Sequence, residues 1–460
     1  MANLLRDKKG TRWTMLLVVA FVMFAAYIAS DNIFSVEKTL MDPGGYAVTQ
    51  TEYDNLAGAY SIFNVYLLML IFGGLILDKA GIRFTGVMSC VLMVVGIGML
   101  TWTLFNLKSL MNAGETIAMG KFLGAEMRKP VIAAVVGIGI YGVGAEIAGI
   151  TVTKIIAKWF VGYELALAMG LQLALARLGT GLAYGSTPVI VNASGGNVGL
   201  AVLIGLILLA VGLGVYLIYC VYDKKLDGQL KEQGIQDAKG NPEDEFHFKD
   251  ILQVIKNPAF WMIALLCLLF YAAVNPFLKY STGMMVDKFG VSDTLAGLFP
   301  LILPMGCIVL TPLFGGIYDK KGHGADLMIL GAVLITCVHL CFSASFITSK
   351  AVAVLLMALL GVGYAMLPSA MWPSIAKIMP AKLLGTTMAL TFYIQNIGFI
   401  FVPKAIGAIK RASDNNYSYV MLFFAGLGVV ALLLSLGVKL LDRKKNYGLQ
   451  VPNIKAEVKE

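Results

Sequence analysis

The chain has 460 residues, of which 58% are hydrophobic and 14% charged, with a formal net charge of +9. A soluble domain carries about 25% charged residues, and a single globular core cannot bury this much apolar side chain, so the composition excludes an ordinary soluble protein and indicates a membrane protein. The basic residues form short runs between hydrophobic stretches rather than a patch interleaved with aromatic residues, which argues against a nucleic-acid partner.

Hydrophobic stretches long enough to cross a bilayer, about 20 residues each, occur twelve times. Six of them lie at 13–34, 56–77, 85–107, 130–153, 164–190 and 198–222. After a polar interval, six more lie at 259–281, 294–317, 326–347, 351–376, 384–408 and 417–441. The sequence therefore predicts an all-α membrane protein with twelve transmembrane helices in two six-helix bundles. The predicted division is an N-terminal bundle at 1–222, a charged linker at 223–258 and a C-terminal bundle with its tail at 259–460.

Basic residues also predict the orientation, because loops on the cytoplasmic side carry an excess of lysine and arginine. They are concentrated in the N-terminal tail, in the linker and in the C-terminal tail, whereas the loop at 108–129 and Lys410–Arg411 go against this trend. We therefore expect both termini and the linker to be cytoplasmic. No acidic dileucine sorting signal precedes the first span, so we expect a multi-pass protein of an inner or plasma membrane.

The loop after the second span and the loop after the eighth share the pattern GxxxDxxG. The first copy runs from Gly74 through Asp78 to Gly81 and is followed by Arg83, and the second contains Asp319. Glycine allows close helix approach and tight turns, and the aspartate can accept hydrogen bonds from a helix N-terminus. Two copies at equivalent places in a six-plus-six layout are far more specific than one.

This repeated loop resembles the signature of the major facilitator superfamily. The resemblance implies two bundles, each built from three-plus-three inverted repeats, that rock around a central substrate site near the bilayer midplane. It also implies that the loop aspartates act in gating rather than in substrate binding. The residues that we assign to gating are Asp31, Asp78, Arg83 and Asp319.

Ionisable side chains inside spans are costly and are candidates for function. Glu146 lies among small residues on the fourth span and Arg177 lies on the fifth. Neighbouring spans bring such residues together, so one interpretation is a buried ion pair that fixes helix packing. The other is that both face a cavity and offer one anion and one cation to a zwitterionic ligand, with arginine holding a carboxylate through two parallel hydrogen bonds.

Other polar residues recur at helical spacing. Tyr60 and Asn64 are four residues apart on the second span, and Tyr271, Asn275 and Lys279 form a row on the seventh. Each alone is more often a packing or interhelical hydrogen-bonding residue than a ligand contact. Further candidates in the tenth and eleventh spans are Trp372, Gln395 and Asn396.

At these positions the sequence is similar to a narrower group, the lysosomal dipeptide transporters and their prokaryotic relatives. Segments that carry the resemblance keep their order along the chain; among them are Asp31-Asn32, Gly144-Ala-Glu146, Gly170-Leu-Gln172, Pro276-Phe277, Lys288-Phe289-Gly290, Trp372-Pro373 and Gln395-Asn396. The resemblance implies that dipeptides are the substrates, that Glu146 receives the peptide amino group and that Arg177 receives the carboxylate. Tyr60, Asn64, Tyr271, Trp372, Gln395 and Asn396 would then line the cavity.

Two departures from that group bear on the mechanism. Ile138 stands where proton-coupled relatives commonly have an arginine, which favours a facilitated uniporter. Lys279 has no evident counterpart, and a lysine together with Arg177 would suit a small mono- or dicarboxylate. The alternative function is therefore a carboxylate exchanger or symporter.

Catalytic patterns are missing from the sequence. Its three histidines are His247, His323 and His339, the last alone in the ninth span, and no HExxH, GxSxG or phosphate-binding loop occurs. We therefore expect neither an enzyme nor a cofactor or metal site. The expected partners are a small-molecule substrate and membrane lipid, and we expect a monomer, with an accessory subunit possible.

Overall fold

The computed structural model describes residues 4–160, 163, 165–233, 248–379 and 383–452. Sixteen α-helices lie in this part of the chain. The first eight are α1 (Lys9–Asp31), α2 (Glu37–Met41), α3 (Gln50–Ala59), α4 (Ile62–Tyr66), α5 (Met69–Asn112), α6 (Lys129–Trp159), α7 (Leu165–Ala193) and α8 (Val198–Glu232). The others are α9 (Phe248–Ile255), α10 (Pro258–Phe289), α11 (Asp293–Ala296), α12 (Leu298–Lys321), α13 (Gly324–Ser343), α14 (Lys350–Ile378), α15 (Leu384–Ala412) and α16 (Tyr417–Lys445).

Within the described residues, ten helices are long and apolar enough to cross a membrane, and a bent pair raises the count to eleven. Helix α7 has the length of a further span but carries Gln172 and Arg177. Each of the twelve predicted stretches thus corresponds to a helix or to a bent pair. Helix α5 contributes to two of them, since Met69–Leu77 completes the bent pair and Lys79–Asn112 is the next span. This confirms the predicted fold class, because a lipid-embedded chain must satisfy its backbone hydrogen bonds within helices.

The second span differs from its prediction as one straight helix at 56–77. It begins earlier, at Gln50, and the pair Gln50–Tyr66 and Met69–Leu77 is bent by 60°. The chain leaves helical geometry at Leu68, whose φ is 55°. Thr49 caps the start of α3 by accepting a hydrogen bond from Glu52 N, in a complete capping box. Hydropathy alone could not show the bend, since it reports side-chain composition and not backbone geometry.

A two-stranded antiparallel hairpin, β1 (Met119–Phe122) and β2 (Ala125–Arg128), lies in the loop that the sequence analysis singled out at 108–129. Arg128 at its end binds Glu52 through a 2.6 Å contact between Nη2 and Oε2. The same guanidinium donates to the carbonyls of Tyr46 and Ala47 at 3.0 and 3.1 Å. This buried pair therefore fastens the hairpin to α3 and explains one of the basic residues that went against the charge trend.

The chain divides into two compact units, Met1–Pro242 with Ser292–Leu301, and Glu243–Val291 with Ile302–Glu460. In the first unit, α8 continues to Glu232, so the predicted linker at 223–258 begins as helix. Residues 234–247 of that linker, with Pro242 and His247, lie outside the described part. Leu5 N donates to Gln229 Oε1 at 2.8 Å, which anchors the N-terminal segment on α8.

In the second unit the C-terminal segment folds back onto the turn between α12 and α13. His323 N donates to Gln450 O and Gly324 N donates to Leu449 O, at 3.1 and 2.9 Å. Lys377 on α14 donates to Gly448 O at 2.9 Å. The segment after α16 therefore ties the ends of these helices together.

The last glycine in each copy of the repeated loop has a positive φ. Gly81 interrupts α5 with a φ of 77°, and Gly322 follows α12 with a φ of 75°. A side chain is strained at such angles, and a Cβ on Gly322 would lie 2.3 Å from Gln450 O. Glycine is therefore required at both turns, as the predicted repeat implies.

Candidate substrate-binding residues

Four side chains of the first unit, Tyr60, Glu146, Tyr27 and Arg177, form a cluster. The hydroxyl of Tyr60, at the end of α3, hydrogen-bonds the Glu146 carboxylate on α6. Tyr27 on α1 lies within electrostatic range of both Glu146 and Arg177. Both charged residues are half-buried. The structure thus brings the predicted anion and cation, on α6 and α7, around a shared tyrosine.

Tyr60 is held in this position by close backbone contact. A Cβ on Gly142 would lie 1.9 Å from Tyr60 O, so only glycine lets α6 approach the break between α3 and α4. Asn64 Nδ2 donates to Gly142 O at 3.3 Å and to Tyr60 O at 3.4 Å. Asn64 is fully buried. Its amide therefore braces the helix break, and its predicted place in the cavity lining stays a prediction.

Asp31, the predicted gating residue at the end of α1, lies in a polar and aromatic setting. It accepts a hydrogen bond from Ser30 Oγ at 3.1 Å. Tyr27, Tyr141 and Tyr184 lie within electrostatic range of its carboxylate. Asp31 is therefore near the Glu146 cluster through Tyr27, and its gating role stays a prediction.

In the second unit, aromatic rings bring the predicted residues of α10 and α14 together. Trp372 Nε1 donates to Tyr271 Oη at 3.1 Å. The Trp372 ring stacks on Phe392 of α15 with centroids 4.9 Å apart. Trp372 and Phe392 are half-buried and Tyr271 is buried. This cluster offers aromatic surface, with the Tyr271 hydroxyl fixed by the indole.

Tyr364 is a member of this region that the sequence analysis missed. Its hydroxyl donates to Asn275 Oδ1 at 2.9 Å, and its ring stacks on Phe270 with centroids 5.5 Å apart. The signal available was weak, because one tyrosine in an apolar stretch is common. Lys279, one turn beyond Asn275 on the same row of α10, is half-buried.

The two amides of α15 have different surroundings. Gln395 Oε1 accepts from the thiol of Cys267 on α10 at 3.4 Å. Asn396 Nδ2 donates to Phe392 O of its own helix at 3.0 Å. Gln395 therefore links α15 to α10 one helical turn before Tyr271, and Asn396 bonds within α15.

Arg83 belongs to an ion cluster around the buried carboxylate of Asp223, in the first unit. It binds Asp223, at 2.9 Å, and Asp227, and Lys158 binds the same two carboxylates. Tyr219 also donates to Asp223 at 3.0 Å. Arg83 thus holds α5 to α8, at a distance from the Glu146 cluster.

The side chain of Asp78 lies outside the described part of the structure, and Asp319 is half-buried at the end of α12.

Comparison with known proteins places these features in a family. Residues 16–403 match the family model described as Major Facilitator Superfamily. The human lysosomal dipeptide transporter MFSD1 is 27% identical over 449 residues, covering 95% of this chain and 88% of the relative. The zebrafish (Danio rerio) protein of the same name is 25% identical, covering 96% and 89%. The crystal structure of a D-xylose-proton symporter superposes with a TM-score of 0.68 at 17% identity, covering 92% of this chain and 97% of that one.

Proposed function

We propose that the substrates of this chain are small peptides, above all dipeptides. The chain belongs to the major facilitator superfamily and is a secondary transporter, not an enzyme. Transporters of this fold work by alternating access. The relatives reported above, 25 and 27% identical over nearly the full length, carry the name of dipeptide transporters. That likeness supports the proposal without identifying the substrate.

The single observation that carries the proposal is the cluster of Tyr60, Glu146, Tyr27 and Arg177. A free dipeptide is a zwitterion, with an ammonium at one end and a carboxylate at the other. Glu146, oriented by the Tyr60 hydroxyl, would receive the ammonium, and Arg177 would hold the carboxylate with two parallel hydrogen bonds. Buried charges inside a membrane are costly unless they are used or paired, so a matched pair of opposite charges suits a zwitterionic substrate.

Residues of the second unit would contact the rest of the peptide. Trp372 and Phe392 offer stacked aromatic surface, which suits apolar side-chain or peptide faces. We also propose facilitated uniport, because Ile138, at the place of the arginine of proton-coupled relatives, is a buried apolar residue on α6.

Ligand-induced stabilisation followed by uptake tests this proposal. A ligand that binds only the folded state raises the melting temperature by mass action. We expect purified protein to be stabilised by dipeptides but not by single amino acids or by mono- and dicarboxylates, and proteoliposomes to take up dipeptides with no ion gradient. Stabilisation by carboxylates alone would establish the alternative, with Lys279 and Arg177 as its cations. Uptake that requires a proton gradient would contradict uniport.

Replacing Glu146 with glutamine separates the two ends of the substrate. We expect Glu146→Gln to weaken binding of free dipeptides about tenfold to a hundredfold, since a hydrogen bond to a charged group contributes about 1.5–3 kcal/mol. N-acetylated dipeptides, which lack the ammonium, should bind wild type weakly and the variant equally weakly. Competition against a labelled dipeptide measures both. An equal loss for the two ligand classes would show instead that Glu146 serves helix packing.

A further inference from the structure

His339 is a buried polar residue that the proposed site does not use. It lies on α13, is 0% exposed, and its Nε2 lies 3.0 Å from the backbone oxygen of Ala273 on α10. Its ring stacks on Phe424 and meets Phe277 edge-on, each with centroids 5.1 Å apart. A histidine in this aromatic setting contacts a neighbouring helix through a single polar bond.

The chemistry of that bond fixes which nitrogen carries the hydrogen. A carbonyl oxygen only accepts, so Nε2 must donate. Nδ1 is buried with no hydrogen-bond partner. An imidazolium would leave a buried N–H unsatisfied there, which is unfavourable. The imidazole is therefore neutral, with its hydrogen on Nε2, and it serves α10 as a donor.

The bond from His339 reaches α10 next to a missing backbone hydrogen bond. Pro276 lies inside this helix and has no N–H, so the intrahelical bond to Ala272 O is missing and the helix is prone to bend there. Ala273 follows Ala272 in the chain, and its carbonyl has a second lone pair that accepts from the imidazole. His339 thus binds α10 beside the residue whose carbonyl lacks its intrahelical partner.

His339 acts on the side of α10 that faces away from the candidate site residues. Ala273 and Phe277 are four residues apart and share one face, whereas Asn275 lies between them, about 200° around the helix from Ala273. Asn275 shares its face with Tyr271 and Lys279. Lys288, farther along α10, donates to Phe342 O and, at 2.9 Å, to Ala344 O at the end of α13. Three side-chain-to-backbone bonds, one from His339 and two from Lys288, therefore tie α10 to α13 on either side of Pro276.

We propose that His339 is a positioning residue for the transport site: its N–H holds α10 beside Pro276 so that Asn275 meets Tyr364 and Tyr271 meets Trp372. The inference rests on the proposed function, since it assigns these residues to the substrate. It adds a residue that contacts no substrate and acts through α10.

The test compares His339→Phe, which keeps the aromatic packing but loses the donor, with His339→Gln, which restores an N–H. For dipeptide uptake in proteoliposomes we expect His339→Phe to raise KM about fivefold, the equivalent of one hydrogen bond of about 1 kcal/mol, with Vmax per folded protein unchanged. His339→Gln should recover most of the KM. The matched control is Thr336→Val, because Thr336 Oγ1 is a buried donor on the same helix that bonds Ala332 O of α13 itself and not α10 within the described residues; its KM should stay at the wild-type value.

A double-mutant cycle with Asn275→Ala shows whether His339 acts through α10. Residues that act as a unit are non-additive, so His339→Phe should add less than twofold to the KM of Asn275→Ala. Full additivity, an unchanged KM in His339→Phe, or an equal change in Thr336→Val would overturn the proposal.

Hydrogen exchange of the peptide at 270–282 reads the same contact without any substrate. We expect faster exchange there in His339→Phe than in wild type or His339→Gln, and no difference in α6. If wild type carries no dipeptide but the exchange difference appears, the proposed function fails and the bracing of α10 stands. If wild type carries dipeptides and exchange is unchanged, the bracing role is wrong.

Discussion

Replacing Arg177 with lysine is expected to lower dipeptide uptake about a hundredfold while leaving the protein folded. A guanidinium binds a carboxylate through two parallel hydrogen bonds, and a lysine ammonium cannot reproduce that planar geometry. Hydrogen bonds to charged groups contribute about 1.5–3 kcal/mol, and about 2.7 kcal/mol corresponds to the hundredfold change. The measurement is uptake of a labelled dipeptide into proteoliposomes, normalised to folded protein.

Arg443→Lys is the matched control, because it makes the same chemical change on an exposed residue in the last turn of α16. Its uptake should equal that of wild type. Esterified dipeptides, which lack the carboxylate, should bind wild type and Arg177→Lys equally. Normal uptake by a well-folded Arg177→Lys variant would remove the carboxylate clamp from the proposed mechanism.

Gly142→Ala is expected to disturb both stability and transport. The added methyl would lie 1.9 Å from Tyr60 O and 2.7 Å from Tyr60 C, which are backbone atoms that cannot rotate away. Overpacking of this kind costs about 1–3 kcal/mol or more, and about 3 kcal/mol lowers the melting temperature by roughly 6–12 °C in a domain of this size. Tyr60 would move from Glu146, so dipeptide uptake should also fall. Thermal unfolding in detergent and proteoliposome uptake measure the two effects.

The same helix supplies the control. Gly149 lies seven residues farther along α6, and a Cβ there would meet nothing within 4 Å. Gly149→Ala should keep wild-type uptake and melt at the wild-type temperature or slightly above it, because alanine has the higher helix propensity. Equal behaviour of the two variants would mean that the close contact between α6 and Tyr60 is unimportant.

The repeated loop predicted backbone turns but not the ion partners of its arginine. Its glycines predicted turns, and Gly81 and Gly322 do adopt positive φ. The pattern could not indicate what Arg83 binds, since its partners Asp223 and Asp227 lie about 140 residues away. A motif reports local backbone geometry, whereas ion partners are chosen by how helices pack.

In the candidate site, too, the sequence identified some residues and could not identify those whose role depends on helix packing. Glu146 and Arg177 were identifiable because ionisable residues are rare and costly inside spans. Tyr364 and Cys267 were not, since neutral residues in apolar stretches are common and their role depends on the side chain opposite. Asn64 was predicted to line the cavity by resemblance to the dipeptide transporters, whereas its bonds to Gly142 O and Tyr60 O, which brace the break after α3, could not be predicted from the sequence.

Sequence alone determined that this chain is a helical membrane protein of the major facilitator superfamily, because hydropathy, span length and the repeated loop are properties of neighbouring residues. Only the tertiary structure decided that the second span is bent, that Tyr60 orients Glu146, and that His339 bonds the back of α10. Each of these depends on a contact between residues far apart in the chain. Such contacts are set by close packing at glycines and by the need of buried polar atoms for partners, and neither leaves a periodic signal in the sequence.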